Sequence, residues 1–280
     1  MKPLSVIILA AGEGKRMKSA LPKVLQLLAG RPLLAHVIDT ARVLEPAAIH
    51  VVYGHGGELV RESLPGEAVD WTLQAQQLGT GHAVLQAIPK VPEDHLALIL
   101  YGDVPLLSHR TLAQLVALAG PRQVALLTMT VDDPSGYGRI VRDGKGKVER
   151  IVEQKDATAA QRKIRECNTG VIAAPAGLLR RWLEGLKTDN SQHEYYLTDV
   201  IAMAVKDGVA VNPLGCDAAI EALGVNDKVQ LAMLESECRR RAARELMLAG
   251  VTIADPARID VRGRVTHGTD VFLDVNVVLE

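Results

Sequence analysis

The chain has 280 residues, 48% of them hydrophobic and only 3% aromatic, with a net charge of −1. That length allows a full aliphatic core in one large α/β domain or two smaller units, and the balanced charge excludes a broad basic footprint for DNA or RNA. Three cysteines, Cys167, Cys216 and Cys238, lie far apart without a CxxC pair, which implies a reducing compartment and argues against a disulfide or zinc framework.

Residues 6–11 read as a buried strand that breaks into a glycine loop, Gly12-Glu13-Gly14-Lys15-Arg16-Met17, followed by Leu21-Pro22-Lys23. Such a loop offers free backbone N–H groups to an anion, and Arg16 and Lys23 make a polyphosphate the natural anion. The apolar stretch after Met1-Lys2 is short and lacks a cleavage region, so it is not read as a secretion signal. No apolar run approaches the length of a membrane span. The expectation is a cytoplasmic protein with neither membrane nor nucleic acid as partner.

Further along, residues 33–44, 80–88 and 111–119 have helical periodicity, and 49–52, 96–101 and 124–130 read as strands. This βαβα order predicts a mostly parallel sheet with helices on both faces. Ligands bind such sheets beyond the carboxyl ends of the strands, where both the Gly12 loop and Tyr101-Gly102-Asp103 fall. Past residue 130, strand-like segments 138–142 and 147–152 flank Asp143-Gly144-Lys145-Gly146, a predicted hairpin turn. A long helix is expected from about residue 227 to 249, ended by Gly250. In the tail, Ile253, Ile259, Val265, Val271 and Val277 recur every six residues, which matches the hexapeptide repeat of a parallel β-helix. A solenoid of that kind needs about three repeats to bury its core. A chain with barely one coil begun is expected to be a piece of a longer protein.

Two rival readings of the Gly12 loop fail at specific residues. A P-loop would need glycine at Leu9 and Ser or Thr at Arg16. A dinucleotide fingerprint would need glycine at Met17 and an acid ending the second strand, which instead reads Val52-Tyr53-Gly54-His55. The look-alike of a zinc HExxH motif, His193-Glu194-Tyr195-Tyr196-Leu197, has Leu197 in the place of its second histidine.

Other segments carry chemistry. Gln74-Ala75-Gln76-Gln77-Leu78-Gly79-Thr80 pairs amides with a glycine turn into a helix. A glutamine amide donates and accepts at once, as the imide edge of uracil requires, although Thr80 as a plain helix N-cap is the blander alternative. Asp103 ends a strongly apolar strand, where it can cap a helix or ligate a hard cation such as Mg²⁺. Asn226 fits either a helix N-cap or a second oxygen ligand of that ion. Gly138, Glu153 and Asn168, set in tight turns and at strand ends, suit a sugar pocket.

The pattern L-x-A-G-x-G-x-R-M followed by P-K resembles the signature of sugar-1-phosphate nucleotidylyltransferases. The chain as a whole is similar to the bacterial bifunctional N-acetylglucosamine-1-phosphate uridylyltransferase/glucosamine-1-phosphate acetyltransferase family, including Tyr195-Tyr196-Leu197-Thr198-Asp199 and Asp255-Pro256-Ala257-Arg258. Lys15 stands where that family usually has threonine and is given no role. The resemblance implies a Rossmann-like uridylyltransferase domain with a mixed, mostly parallel sheet over residues 1–226. A linking helical arm over 227–250 and the start of a left-handed β-helix over 251–280 would follow.

The implied reaction joins UTP and N-acetylglucosamine 1-phosphate into UDP-N-acetylglucosamine and pyrophosphate, with Mg²⁺, as precursor supply for peptidoglycan and lipopolysaccharide. By the same resemblance Leu9, Ala10, Ala11, Gly12, Gln74, Gly79, Thr80, Tyr101 and Gly102 would hold the nucleotide. Arg16 and Lys23 would neutralise charge on the leaving pyrophosphate, Asp103 and Asn226 would hold the metal, and Gly138, Glu153 and Asn168 the sugar. Acetyl transfer is not expected of this stretch. The full-length family is expected to form a homotrimer, and this stretch a monomer.

Overall fold

The structure, a computed structural model, describes residues 2–54, 57–263 and 265–280; His55, the last residue in the reading of the second strand, lies outside them. The first half contains β1 (Leu4–Ala10), a short antiparallel pair β2 (Leu27–Leu28) and β3 (Arg31–Pro32), α1 (Leu33–Arg42), β4 (Ala48–Gly54), α2 (Glu58–Glu62), β5 (Asp70–Gln74) and α3 (Thr80–Ala87). Then come β6 (Leu96–Tyr101), α4 (His109–Leu118), β7 (Gln123–Thr130), β8 (Arg139–Arg142), β9 (Val148–Val152) and β10 (Glu166–Pro175). The chain continues through α5 (Ala176–Glu184), α6 (Asp199–Lys206), β11 (Ala210–Gly215) and α7 (Lys228–Leu248). Four short tail strands follow: β12 (Thr252–Ile253), β13 (Ile259–Val261), β14 (Phe272–Leu273) and β15 (Val277–Leu279).

The main sheet runs in the order β11-β7-β10-β6-β1-β4-β5, with β8 and β9 as a hairpin beside β10. β1 is parallel to both β4 and β6, and every residue of it is buried. Such a central strand needs a continuous apolar run, and Leu-Ser-Val-Ile-Ile-Leu-Ala supplies one. Its alternation sends Val6, Ile8 and Ala10 into one core with α1 and α4, and Ile7 and Leu9 into the opposite core with α3, α5 and α6. The buried hydroxyl of Ser5 is paired with His95 Nδ1 at 2.9 Å.

The register fixes one edge of this sheet. Leu9 sits opposite Val52 on one side and Tyr101 on the other, and Gln74 sits opposite Gly54. The carboxyl ends of β1, β4, β5 and β6 are therefore level. β10 runs antiparallel to β6 and β7, so its amino end arrives at that same edge. A register shift between Asn168 and Ile172 marks this end.

The predicted parallel strands and helices are present within a few residues, as is the 139–152 hairpin, whose turn is closed by Asp143 N–H to Lys147 C=O at 2.8 Å. Strands β5 and β11 and helices α2, α5 and α6 had no counterpart in the sequence reading. β5, Asp-Trp-Thr-Leu-Gln, carries polar residues alternating with apolar ones at the sheet edge, where one flank has no strand to exclude water. The helix at residue 80 is capped by Gly79, and Thr80 is its first residue.

His50 sits inside the sheet on β4, 2% exposed, and neither ring nitrogen has a hydrogen-bond partner. Asp70 lies 3.5 Å away on β5 and favours the charged ring, while Lys90 opposes it. Burial, joined by Lys90, outweighs Asp70 and holds the imidazole below its ordinary value of 6.5. The unfolded chain then takes the proton first. Stability is therefore full above that ordinary value and declines as the pH falls below it. His50→Leu lacks this acid limb. Urea unfolding at about pH 7.5 and about pH 5.5 checks this: the variant gains on the native protein at the lower pH. An unchanged difference rejects the assignment.

Candidate active site

A cavity of about 470 Å³ opens at the level edge of the sheet. Leu9, Ala10, Ala11 and Gly12 line it from β1 and its loop, and Gln74, Gly79 and Thr80 line it from β5 and the start of α3. Tyr101 and Asp103 come from the end of β6, and Lys23 and Asn226 from two separate loops.

Lys23 reaches this rim because the glycine loop folds back on itself. Gly14 has φ +62°, and a Cβ there would stand 2.7 Å from Lys23 Cβ, so a side chain is excluded. After Pro22, residues Lys23–Leu25 make one 3₁₀ turn whose Val24 and Leu25 are buried, which fixes the lysine stem. The ammonium is in a salt bridge with Asp103 Oδ2 and donates to Asn226 Oδ1 at 3.4 Å. Both members of the ion pair are mostly withdrawn from water, with side chains 14% exposed. Of the alternatives for Asn226, the cap falls to its neighbour: Asp227 accepts the Gln230 N–H at 2.8 Å, which leaves the Asn226 amide facing Lys23.

Two oxygens thus share a single cation. Asp103 Oδ2 and Asn226 Oδ1 are hard donors, the type that a small divalent ion prefers. Among the described residues no group of three or more His, Cys, Asp or Glu is placed to hold a metal. A Mg²⁺-type ion needs no such cage when waters and substrate phosphates complete its shell. The donor set therefore fits a divalent ion bound together with phosphates.

At the other end of the cavity Gln74, 3% exposed, directs its amide nitrogen to Gly79 C=O at 3.2 Å and to His82 Nδ1 at 3.0 Å. A carbonyl can only accept, so the nitrogen must face it and Oε1 remains the open acceptor. The 78–81 turn is fastened from above by a distant segment. Tyr195 N–H donates to Leu78 C=O and Gly81 N–H to Tyr195 C=O, each at 2.8 Å, and Leu197 N–H reaches Thr80 Oγ1 at 3.2 Å.

Other predicted residues lie elsewhere. Arg16 is exposed on the 3₁₀ turn Lys15–Met17 and does not line the cavity. Its neighbour Lys15 pairs with Glu13 at 2.5 Å on the surface, which raises the Lys15 pKa. Gly102 does not line the cavity either; its N–H donates to Leu9 C=O at 2.9 Å and ties β6 to β1. Gly138, Glu153 and Asn168 gather beside the cavity. Asn168 N–H donates to Gly138 C=O at 2.9 Å, and Asn168 Oδ1 accepts the Gly170 N–H at 2.9 Å. Gly170 lies against the Tyr101 ring, so this group backs the cavity wall.

Glu153 opens into a smaller cavity of about 220 Å³, where the Thr198 hydroxyl donates to it at 3.0 Å. Burial pushes its carboxyl above the usual range, against the lowering effect of that hydroxyl. Burial, reinforced by Glu153 and Asp103, raises the Tyr101 phenol, which stays neutral.

Three polar lining residues were not singled out from the sequence. Gln77 donates to Ala11 C=O at 2.6 Å and so bridges the glutamine segment to the glycine loop. Its place inside the Gln74–Thr80 segment was the signal available. Glu13 lies within the quoted loop, and Glu194 comes from the HExxH look-alike. Nothing local to residue 194 announces a position over the 79–81 turn.

A family model described as a MobA-like NTP transferase domain matches residues 6–166. The "Bifunctional protein GlmU" of Aromatoleum aromaticum is 58% identical over 277 residues, which cover 99% of this chain and 61% of that protein. The protein of the same description from Stutzerimonas stutzeri is 57% identical with the same coverage. The chain thus spans 61% of the length of these relatives. Among solved structures, a nucleotidyl transferase from Methanothermobacter thermautotroptrophicus superposes with a TM-score of 0.63 at 20% identity, over 85% of this chain and 99% of that one. At that identity the likeness carries the fold alone: an α/β nucleotidyltransferase fold built on a mixed sheet.

Proposed function

The chain belongs to the MobA-like NTP transferase family, and on that premise we propose that it transfers uridylyl from UTP to N-acetylglucosamine 1-phosphate, giving UDP-N-acetylglucosamine and pyrophosphate. The observation that carries this reading is the polar pair Asp103 and Asn226 closed on Lys23 at one end of a cavity whose other end is Gln74. The spacing of roles suits a nucleotide laid along the strand ends, with its base at Gln74 and its phosphates at Lys23.

Gln74 Oε1 accepts the imide N–H of uracil. Cytosine has an acceptor at that ring position and is disfavoured, because two acceptors would then face each other. Leu9, Ala10, Ala11 and Gly12 present backbone to the nucleotide, and Gly79 and Thr80 close over the base. A phosphate oxygen of the sugar phosphate attacks the α-phosphorus in line, and the bond to the β-phosphate oxygen breaks as pyrophosphate leaves. The attacking oxygen is already anionic, so the chain need supply no base. Its task is positioning and charge stabilisation.

Lys23 neutralises charge shifting onto pyrophosphate, and Arg16 assists from the loop surface once phosphates are present. Asp103 and Asn226 hold Mg²⁺, which when bound withdraws charge from the phosphate oxygens. Tyr101 lines the nucleotide cavity and Gly102 ties its strand to β1 behind it, while Gly138, Glu153 and Asn168 take the acetylated sugar.

The same reading makes residues 227–250 a linking arm and 251–280 the start of a left-handed parallel β-helix. In support, β13 pairs in parallel with β15 at an offset of eighteen residues, from Ile259 to Val277, which is three hexapeptides. Ile253, Ile259, Val265 and Val271 gather in one small apolar cluster with α7. No helix among the described residues is long and apolar enough to cross a membrane. A cytoplasmic enzyme, trimeric in its full-length form and monomeric as this stretch, completes the proposal.

Pyrophosphate release measured with UTP, CTP, ATP, GTP and dTTP in turn, with Mg²⁺ and N-acetylglucosamine 1-phosphate, tests the assignment. Turnover with UTP and none with CTP is expected. Preference for a thymidine nucleotide would make the chain a related nucleotidylyltransferase, and UTP binding without turnover would reject an enzyme.

A further inference from the structure

The loop that carries Asn226 is secured on one side by the fold. Val225 is fully buried in an apolar cluster with Met17, Leu28, Leu33, Leu106 and Leu234, and its N–H donates to Asp103 C=O at 2.9 Å. The next residue has no apolar anchor. Asn226 is half-buried, and its backbone N–H donates instead to Gln230 Oε1 at 2.7 Å. The orientation of that amide is forced, since a backbone N–H can only donate.

This bond departs from ordinary helix capping. Asp227 is the N-cap of α7 and accepts the N–H of Gln230, the third helical residue, as caps do. In the usual reciprocal arrangement the third residue's side chain returns to the N–H of the cap itself. Here it reaches one residue further and takes the N–H of Asn226. The first turn of α7 therefore fixes the backbone of the residue whose amide faces Lys23. A second contact braces the same turn: Lys228 Nζ donates to Gln26 Oε1 at 2.5 Å, and Gln26 N–H donates to Lys23 C=O at 3.1 Å.

We propose that Gln230 is a positioning residue for Asn226, holding its amide oxygen toward the cation beside Asp103. The inference rests on the reading of Asn226 as a metal ligand. Outer partners of this kind typically carry about ten- to hundredfold in metal affinity.

The test uses the whole chain and compares Gln230→Ala, Gln230→Glu, Asn226→Ala and the double variant Asn226→Ala/Gln230→Ala. One readout is Mn²⁺ binding by electron paramagnetic resonance with saturating UDP-N-acetylglucosamine; the other is the Mg²⁺ concentration giving half-maximal turnover. Thermal unfolding establishes that each variant is folded. Gln230→Ala should weaken both metal constants at least about tenfold while kcat recovers at saturating metal. Gln230→Glu retains an acceptor oxygen and should restore both. The double variant should be no worse than Asn226→Ala, because the two act on one group. If Asn226→Ala weakens metal binding and Gln230→Ala does not, or if their effects add, the positioning role is overturned. If Asn226→Ala leaves both constants unchanged, the metal reading itself fails.

Discussion

Asp103→Ala is expected to lower uridylyl transfer by at least about a thousandfold, the order that corresponds to losing several kcal/mol of charge stabilisation at the reacting phosphates. On the proposed function the carboxylate has two tasks. With substrate bound it would hold the divalent ion; without substrate it balances Lys23, whose side chain is only 14% exposed. Removing one partner of a largely buried pair strands the other, at a cost of about 3 kcal/mol. After the substitution the ammonium keeps Asn226 Oδ1 at 3.4 Å, a long and uncharged contact. The variant should therefore be both inactive and less stable to urea in the absence of ligands.

The two effects separate in a double variant. Lys23→Met with Asp103→Leu removes both charges and replaces them with apolar groups, an exchange that is commonly neutral or stabilising for buried pairs. Stability should return to near the native value while turnover stays lost. Turnover retained by Asp103→Ala at saturating Mg²⁺ would remove Asp103 from the metal site. Stability unchanged by Asp103→Ala would mean that the ion pair is solvated in solution.

Gly79→Ala should be the second most damaging change, and it should act on the nucleotide rather than on the metal. Gly79 has φ +110° and ψ 174°, a region reserved for glycine, so any side chain there costs about 1–3 kcal/mol of backbone strain. A Cβ would also stand 2.7 Å from Tyr195 C=O and 2.9 Å from Glu194 Cβ. The turn cannot yield easily, since Leu78 and Gly81 on either side are hydrogen-bonded to Tyr195. Relief must come from parting the 78–81 turn from the 194–197 segment, which also displaces the carbonyl that orients Gln74. The expected result is a KM for UTP raised at least about tenfold, equivalent to about 1.4 kcal/mol. The half-saturating Mg²⁺ concentration should not change. An unaltered KM for UTP would show that the base does not lie against this turn.

Much of this molecule is legible in short windows of sequence. The apolar runs at β1 and β6 announce buried parallel strands because both faces of a central strand must exclude water. The glycine loop and the lysine after Pro22 suggest an anion site because backbone N–H groups and a cation are what an anion needs. The six-residue period of the tail stands out because chance seldom sets five apolar residues at that one spacing. Even the open acceptor at Gln74 lies within a recognisable segment, although its orientation required the carbonyl of Gly79.

What the sequence could not decide was which of these short segments meet. Lys23 and Asp103 are 80 residues apart, and Lys23 and Asn226 are 203 apart. Their meeting depends on the order of strands in the sheet and on the docking of α7, neither of which is written in a local period. The antiparallel β10 delivers Asn168 to the edge where the cavity opens, and the fold of residues 193–197 over the 79–81 turn turns a failed zinc motif into a cavity wall. Arg16 faces solvent and Lys23 faces Asp103, although both are cations of one loop, and the missing side chain of Gly14 leaves the room in which Lys23 packs. Sequence alone determined the central strands, the glycine loop and the chemical types available. Tertiary structure decided which polar groups share a cation, because that depends on long-range packing of apolar faces rather than on the spacing of residues along the chain.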